Sequence, residues 1–121
     1  MAKSVLIIED EFQILDIYKT KLEREGFRVF TAKNGKDGLS IVNSNKPDLI
    51  ILDIILPGGM NGFDILEKLK SDSKTKNIPV IVLTNLDSEE KVAKEIGAND
   101  YFFKAGTTID EVAAKVKEYL G

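Results

Sequence analysis

Short apolar runs alternate along this chain with longer stretches in which apolar residues recur at helical spacing. Three of the runs are continuous and apolar, as expected for strands that are buried on both faces, namely Ser4–Ile8, Leu49–Leu52 and Val80–Leu83. Two weaker runs, Arg28–Ala32 and Asn99–Lys104, complete a set of five predicted strands.

Five amphipathic helices are predicted between and after these strands. Their apolar positions are Phe12, Leu15, Tyr18 and Leu22; Leu39 and Val42; Phe63, Leu66 and Leu69; Val92 and Ile96; and Ile109, Val112, Ala113, Val116 and Leu120. Helix-ending glycines are expected at Gly26 and Gly97. Capping pairs with a spacing of three residues are Asp87 with Glu90 and Thr108 with Glu111.

Regular alternation of strand and helix predicts an α/β fold. Right-handed crossovers place the helices on both faces of a parallel sheet, so the pattern indicates a doubly wound (βα)5 arrangement. No linker or low-complexity tract interrupts it, and we therefore predict one domain over residues 1–121. In such sheets ligands collect at the carboxyl ends of the strands.

Composition excludes several kinds of chemistry. The chain has no cysteine and no histidine, which removes thiolate nucleophiles, disulfides, histidine triads and histidine metal ligands. A net charge of −3 disfavours a nucleic-acid surface, because such surfaces are normally basic. No apolar run approaches the roughly 20 residues that span a bilayer, so no membrane association is expected. The absence of cysteine fits a cytoplasmic location, which we predict.

The only local basic cluster consists of the lysines at 68, 70, 74 and 76. We interpret it as a solvated helix end with its loop, since a charge run is usually exposed.

Five polar side chains fall at the carboxyl ends of four predicted strands. Glu9 and Asp10 follow the first strand, Asp53 the third, Thr84 the fourth and Lys104 the fifth. Two like charges about 4 Å apart at an effective dielectric near 20 repel by about 4 kcal/mol, a large part of the roughly 5–15 kcal/mol that stabilises a domain. Clustered acids at this edge therefore require a bound cation as well as the lysine.

The residue types indicate phosphoryl transfer. A carboxylate can attack a phosphoryl group if the charge on the transferring oxygens is neutralised. Asp53 is the best candidate nucleophile because it is the only acid on the central third strand. Lys104 is predicted to pair with the phosphoryl oxygens and Thr84 to donate a hydrogen bond to one of them.

The same edge has the ligands that a magnesium ion prefers. Glu9, Asp10 and Asp53 supply carboxylate oxygens, and the backbone carbonyl of Ile55 is a candidate further ligand. We therefore predict a Mg²⁺ cofactor, with Mn²⁺ as a substitute.

At these residues the chain resembles the receiver domain of two-component response regulators of the chemotaxis-regulator type. The motifs that carry the resemblance are IIED at 7–10, LDIILP at 52–57, LT at 83–84 and DYFFK at 100–104. The resemblance implies a flavodoxin-like sheet in the order 2-1-3-4-5 and covers essentially the whole chain.

The resemblance also implies a signalling switch rather than a conventional enzyme. Asp53 would accept a phosphoryl group from the phosphohistidine of a histidine kinase or a histidine phosphotransfer protein, with Mg²⁺ required. Thr84 and Tyr101 would then move together and reshape the surface of the fourth helix, fifth strand and fifth helix for a downstream protein target.

Four positions depart from the usual pattern of this family. The segment from Asp53 to the glycine at 62 is one residue longer, with Gly58 and Gly59 both present. Ala105 stands where a proline with a cis bond is usual, and Asn85 where a small residue is common. Glu9 replaces the more frequent aspartate, and its longer side chain should still reach a metal-bound water.

Two other functions remain open, and a third is disfavoured by the acids after the first strand. A receiver that binds a partner without phosphorylation is favoured by Ala105 and the longer loop. A phosphatase of the haloacid dehalogenase type also uses an aspartate nucleophile with Mg²⁺, but it normally has a second aspartate where this chain has Ile55. A flavin or nucleotide binder would need a phosphate-binding loop after the first strand, where this chain reads EDEFQ.

Overall fold

A computed structural model describes residues 2–121 and contains a five-stranded parallel sheet. The strands are β1 (Ser4–Ile8), β2 (Arg28–Ala32), β3 (Leu49–Leu52), β4 (Val80–Thr84) and β5 (Asp100–Phe103). Their spatial order is β2-β1-β3-β4-β5, and each neighbouring pair is parallel. The predicted α/β class, doubly wound (βα)5 arrangement and strand order are confirmed.

Five α-helices connect or follow the strands. They are α1 (Phe12–Arg24), α2 (Gly35–Asn45), α3 (Gly62–Ser71), α4 (Glu90–Ile96) and α5 (Ile109–Leu120). A short 3-10 turn, Lys104–Gly106, lies between β5 and α5. Strand β5 is therefore shorter than the predicted Asn99–Lys104, because the backbone at Lys104 already curls into this turn.

The sheet divides the core into two layers, because successive side chains of a strand point to opposite faces. On one face Leu6, Ile8, Ile50 and Leu52 pack against buried residues of α2, α3 and α4. On the other face Val5, Ile7, Leu49 and Ile51 pack against buried residues of α1 and α5. Both faces of the central strands are thus covered, which explains why their sequences are continuously apolar.

Side-chain caps start three of the helices. The predicted capping box at Thr108 is confirmed. The Thr108 side chain accepts a hydrogen bond from the backbone N–H of Glu111, and the Glu111 carboxylate accepts one from the backbone N–H of Thr108. The predicted cap of Asp87 with Glu90 is wrong. Helix α4 begins at Glu90 itself, so that this residue is the first of the helix and cannot be its third.

The turns after α1, α2 and α4 have left-handed backbones. Gly26 has φ 96° after α1 and Gly97 has φ 134° after α4, as predicted for helix-ending glycines. Lys46 ends α2 with φ 47°, a conformation that is costly for a residue with a side chain. Among residues 2–121 no peptide bond is cis, so Lys104 and Ala105 are joined by a trans bond.

None of the helices in residues 2–121 combines the length and the apolar character needed to cross a bilayer.

Candidate functional site

The sheet ladder itself fixes the acids at its carboxyl edge. The backbone N–H of Glu9 donates to the carbonyl of Ala32 at 2.9 Å, and that of Asp53 donates to the carbonyl of Ile8 at 3.0 Å. Both acids are buried, with 2% of Glu9 and 4% of Asp53 exposed. The ladder therefore extends one residue past β1 and β3 and holds two carboxylates side by side.

A close helix approach fixes the backbone beside Asp53. The N–H of Gly62, the first residue of α3, donates to the carbonyl of Ile54 at 2.7 Å. A Cβ atom on Gly62 would lie 2.3 Å from the carbonyl oxygen of Asp53 and 2.5 Å from the Cα of Ile54. Only glycine lets α3 start against this backbone, and the Asn61–Asp64 capping box holds the start in place.

Lys104 reaches into the acid cluster from the 3-10 turn after β5. Its Nζ lies 2.9 Å from Asp53 Oδ2 and 2.5 Å from Glu9 Oε1, and its side chain is 8% exposed. A third acid, Glu11, lies 3.6 Å away at the solvent edge. One ammonium thus compensates two buried carboxylates, and the buried cluster retains one negative charge.

Burial and pairing shift the pKa values of this cluster. Burial raises the pKa of Glu9 above its ordinary value, although the hydrogen bond from Lys104 opposes the shift. Burial alone would lower the pKa of Lys104, but its hydrogen bonds with Glu9 and Asp53 outweigh that effect and hold the pKa above its ordinary value. The ammonium therefore stays charged at neutral pH.

The carboxylates fit a divalent cation. One oxygen from each of Glu9, Asp10 and Asp53 lies within 4.8 Å of the others, and the side chain of Asp10 faces solvent. Carboxylate oxygens are the ligands preferred by Mg²⁺ and Mn²⁺. The N–H of Ile55 donates to Asp53 Oδ1 at 3.3 Å, while a role for the Ile55 carbonyl as a ligand stays a prediction.

The two predicted switch residues contact the same backbone segment. Thr84 is fully buried, and its Oγ1 accepts from the N–H of Leu86 at 3.4 Å. The hydroxyl of Tyr101 donates to the carbonyl of Leu86, and its partly buried ring packs against the core layer that lies under α2, α3 and α4. Leu86 is the residue through which a movement of Thr84 could reach Tyr101.

The longer loop after Asp53 folds toward α2. Gly58 and Gly59 have φ 92° and 84°, so both need the conformational freedom of glycine. Pro57, Gly58 and Met60 line one side of a small cavity of about 260 Å³, and Asn34 and Asp37 line the other. The additional residue is thus absorbed beside the start of α2 and does not separate Asp53 from the other acids.

Sequence reasoning missed Glu11 and Gly62. Glu11 was recognisable only as one more acid in EDEFQ, and its contact with Lys104 depends on how the long lysine side chain is directed. The role of Gly62 could have been predicted from the sequence. Asn61 and Asp64 have the spacing of a helix cap, and a glycine directly after a cap allows the helix to pack closely against its neighbour.

Comparisons with known proteins find receiver domains, both by family model and among solved structures. A family model described as "Response regulator receiver domain" matches residues 5–117. The receiver domain of a signal transduction histidine kinase from Syntrophus aciditrophicus is 33% identical, with a TM-score of 0.88, and the match covers 98% of this chain and 90% of that one.

Two further solved structures are similar over nearly their whole length. A CheY-like receiver domain protein from Methanospirillum hungatei is 32% identical, with a TM-score of 0.88 and coverage of 98% of this chain and 93% of that one. The BeF3-activated receiver domain of RstA from Klebsiella pneumoniae is 27% identical, with a TM-score of 0.89 and coverage of 98% of both chains.

Proposed function

This chain belongs to the response regulator receiver domain family, and from that premise we propose that it is a phosphoacceptor switch in which Asp53 takes the phosphoryl group. The observation that supports this most strongly is the contact of Asp53 with Lys104 inside a cluster of three carboxylates. Receiver domains are phosphoacceptor signalling domains rather than conventional enzymes, and the proposal assigns the same role to this chain.

The acceptor step needs only groups at the carboxyl edge and a phosphorylated imidazole from a partner. An oxygen of the Asp53 carboxylate forms a bond to phosphorus as the phosphorus–nitrogen bond breaks, and the imidazole leaves with the electron pair of that bond. The product is an acyl phosphate on Asp53. Because Oδ2 already accepts from Lys104, the same ammonium is in place to pair with the transferred oxygens.

Glu9, Asp10 and Asp53, with the carbonyl of Ile55, are the residues that would hold the divalent ion, for which we propose Mg²⁺ with Mn²⁺ as a substitute. When bound, this ion supplies positive charge against the phosphoryl oxygens. Thr84 lies at the end of β4 at the same edge, and its hydroxyl would donate to a phosphoryl oxygen. Burial of Glu9, Asp53 and Thr84 strengthens these interactions by excluding water.

The switch would act through Leu86. Movement of Thr84 toward the phosphoryl group would break its weak bond with the Leu86 N–H, and the Tyr101 hydroxyl would lose its partner on the same residue. Tyr101 would then turn inward and change the surface formed by α4, β5 and α5. This surface would be read by a downstream protein, while a histidine kinase or histidine phosphotransfer protein is the proposed donor. The cytoplasmic location stays a prediction.

The proposal is tested by incubating the protein with acetyl phosphate and Mg²⁺ and measuring its intact mass. We expect a gain of one phosphoryl group in the wild type and in Asp87→Asn, which removes an acid outside the cluster. Asp53→Asn should show no gain. An unchanged wild-type mass would favour a phosphorylation-independent binding module, and continuous consumption of the donor without labelling would favour a phosphatase.

A further inference from the structure

We propose that the Glu9–Lys104 pair sets the affinity of the carboxyl edge for its divalent ion, because the lysine ammonium competes with that ion for the same oxygens. The inference rests on the proposed function in one respect, since it takes Glu9, Asp10 and Asp53 as the residues that hold the ion. It goes further by assigning Lys104 a second role before any phosphoryl group arrives.

The competition follows from shared contacts. The ammonium of Lys104 lies 2.5 Å from one oxygen of Glu9 and 2.9 Å from one oxygen of Asp53, and these are two of the three carboxylates that lie together. A divalent ion bound there would be close to the ammonium and repelled by it. Like charges this close repel each other strongly in a partly buried site, so binding of the ion favours movement of the ammonium away from the carboxylates.

The length of the Glu9 side chain makes the competition effective. Its Oε1 contacts Lys104, while its Oε2 accepts from the N–H of Glu11 at 3.0 Å. The carboxylate is therefore oriented from both sides and is 2% exposed. An aspartate at this position has one methylene fewer and would fall short of both contacts.

The structure also provides a place for the displaced ammonium. Glu11 lies 3.6 Å from Lys104 Nζ, and its side chain is 57% exposed. A short movement toward solvent would exchange the contact with Glu9 for a contact with Glu11. The ammonium would remain close enough to Asp53 to pair with oxygens transferred to it.

The experiment measures binding of Mg²⁺ alone, by following backbone amide signals at the carboxyl edge in an NMR titration. Lys104→Met should bind Mg²⁺ roughly tenfold more tightly than the wild type, or better, since a repulsive charge and a competitor are both removed. Lys33→Met is the matched control, because Lys33 is also a cation near the end of a strand but contacts the ring of Phe12. Its Mg²⁺ affinity should change by less than about twofold.

Glu9→Asp is the second variant, because it keeps every charge and avoids leaving Asp53 without a counter-ion. We expect its affinity for Mg²⁺ to rise about three- to tenfold. The double variant Glu9→Asp with Lys104→Met should bind no more tightly than Lys104→Met alone, because the shorter acid acts only by releasing the lysine.

The possible failures can be told apart. If the wild type binds Mg²⁺ at this edge but Lys104→Met and Lys33→Met change the affinity equally, the competition is overturned and the proposed function stands. If Glu9→Asp still raises the affinity for Mg²⁺ when Lys104 is already replaced by methionine, the shorter acid acts directly as a ligand. That result would also overturn the proposed competition. If no variant binds Mg²⁺ at this edge, the metal site of the proposed function is itself wrong.

Discussion

Two partly buried lysines lie at opposite edges of the sheet and have opposite surroundings. Lys104, at the carboxyl edge, contacts the carboxylates of Glu9 and Asp53. Lys70, at the amino edge, donates to the backbone carbonyl of Ile78 at 2.8 Å and to the side-chain oxygen of Asn99 at 3.3 Å. Burial lowers the pKa of Lys70, whereas pairing raises the pKa of Lys104.

The difference separates a structural lysine from an exchangeable one. Neutral carbonyl and amide oxygens bind a divalent ion less well than carboxylates do, so the Lys70 ammonium joins the end of α3 to the residues just before β4 and β5 without competition from a metal ion. Carboxylates can exchange an ammonium for a metal ion, so the contacts of Lys104 are replaceable. The interpretation of the basic cluster as solvated is wrong for Lys70, because its ammonium is the partner of three oxygens.

The largest expected effect is at the amino edge. Lys70→Met keeps most of the apolar stem but removes the ammonium from the carbonyls of Lys76 and Ile78 and from Asn99 Oδ1, of which the last keeps the Val80 N–H as a donor. We expect a loss of about 2 kcal/mol in the free energy of unfolding. Urea denaturation measures it. Lys68→Met, on the exposed face of the same helix, is the control and should change stability by less than about 0.5 kcal/mol. If Lys70→Met and Lys68→Met change the free energy of unfolding equally, the contacts of Lys70 are not structural and its contrast with Lys104 does not hold.

At the carboxyl edge the corresponding change should be stabilising. Asp53→Asn removes the excess negative charge of the buried cluster while Glu9 keeps its pair with Lys104, and we expect a gain of about 1 kcal/mol in buffer with chelator. Thermal unfolding should also show a smaller rise in Tm with Mg²⁺ than in the wild type. A loss of stability would mean that Asp53 and Lys104 form a structural pair like the contacts of Lys70.

A third prediction concerns alkaline pH. At the amino edge the Tyr119 hydroxyl donates to the carboxylate of Asp100, and burial together with this contact raises the pKa of Tyr119 to about 12. The folded state holds the proton more tightly, so the stabilisation is present below pH 10 and is lost as pH rises toward 12. Because Tyr119 is 38% exposed, solvent screening reduces the expected loss to about 1 kcal/mol.

The measurement for Tyr119 is urea denaturation of the wild type and Tyr119→Phe at several pH values. The difference in unfolding free energy between the two proteins should shrink as the pH passes from 10 to 12. A difference that is constant over this range would show that the hydroxyl makes no stabilising contact with Asp100.

The smallest effect is expected at the end of α2. Lys46 has φ 47°, where glycine has no steric cost, so Lys46→Gly should stabilise the protein by about 0.5 kcal/mol after its greater freedom in the unfolded chain is counted. Lys68→Gly, in the interior of α3, should instead destabilise it by about 1 kcal/mol. Chemical denaturation of both variants measures whether the free energy of unfolding rises in Lys46→Gly and falls in Lys68→Gly.

The fold was predictable because its central strands are buried on both faces. Continuous apolar runs gave the bounds of β1 and β3 to the residue and those of β4 to within one residue, and alternation with helices gave the class. Strand order is not specified by periodicity and came only from the family resemblance. The start of α4 was misplaced because Asp87 and Glu90 have the right spacing but belong to a bend and to the first turn of the helix.

The site was predictable to the level of strand ends. Glu9, Asp53 and Lys104 meet because the ends of parallel strands share one edge. Their pairing is a matter of side-chain length and direction, which the sequence does not specify. Lys104 was therefore expected among the acids, but its particular contacts with Glu9 and Glu11 were not predicted. The contacts of Lys70 could not be predicted either, because a lysine that donates to backbone carbonyls has the same sequence pattern as an exposed lysine.

The parallel topology also determines where attachments to this protein would sit. Strand β1 begins at the amino edge, and α5 returns to it, as the contact of Tyr119 with Asp100 at the start of β5 indicates. Ser4 and Tyr119 therefore both lie on the side away from Asp53. A surface tether, a fluorophore or a fused reporter joined near either residue would leave the carboxyl edge open, so donor docking could be measured on immobilised protein.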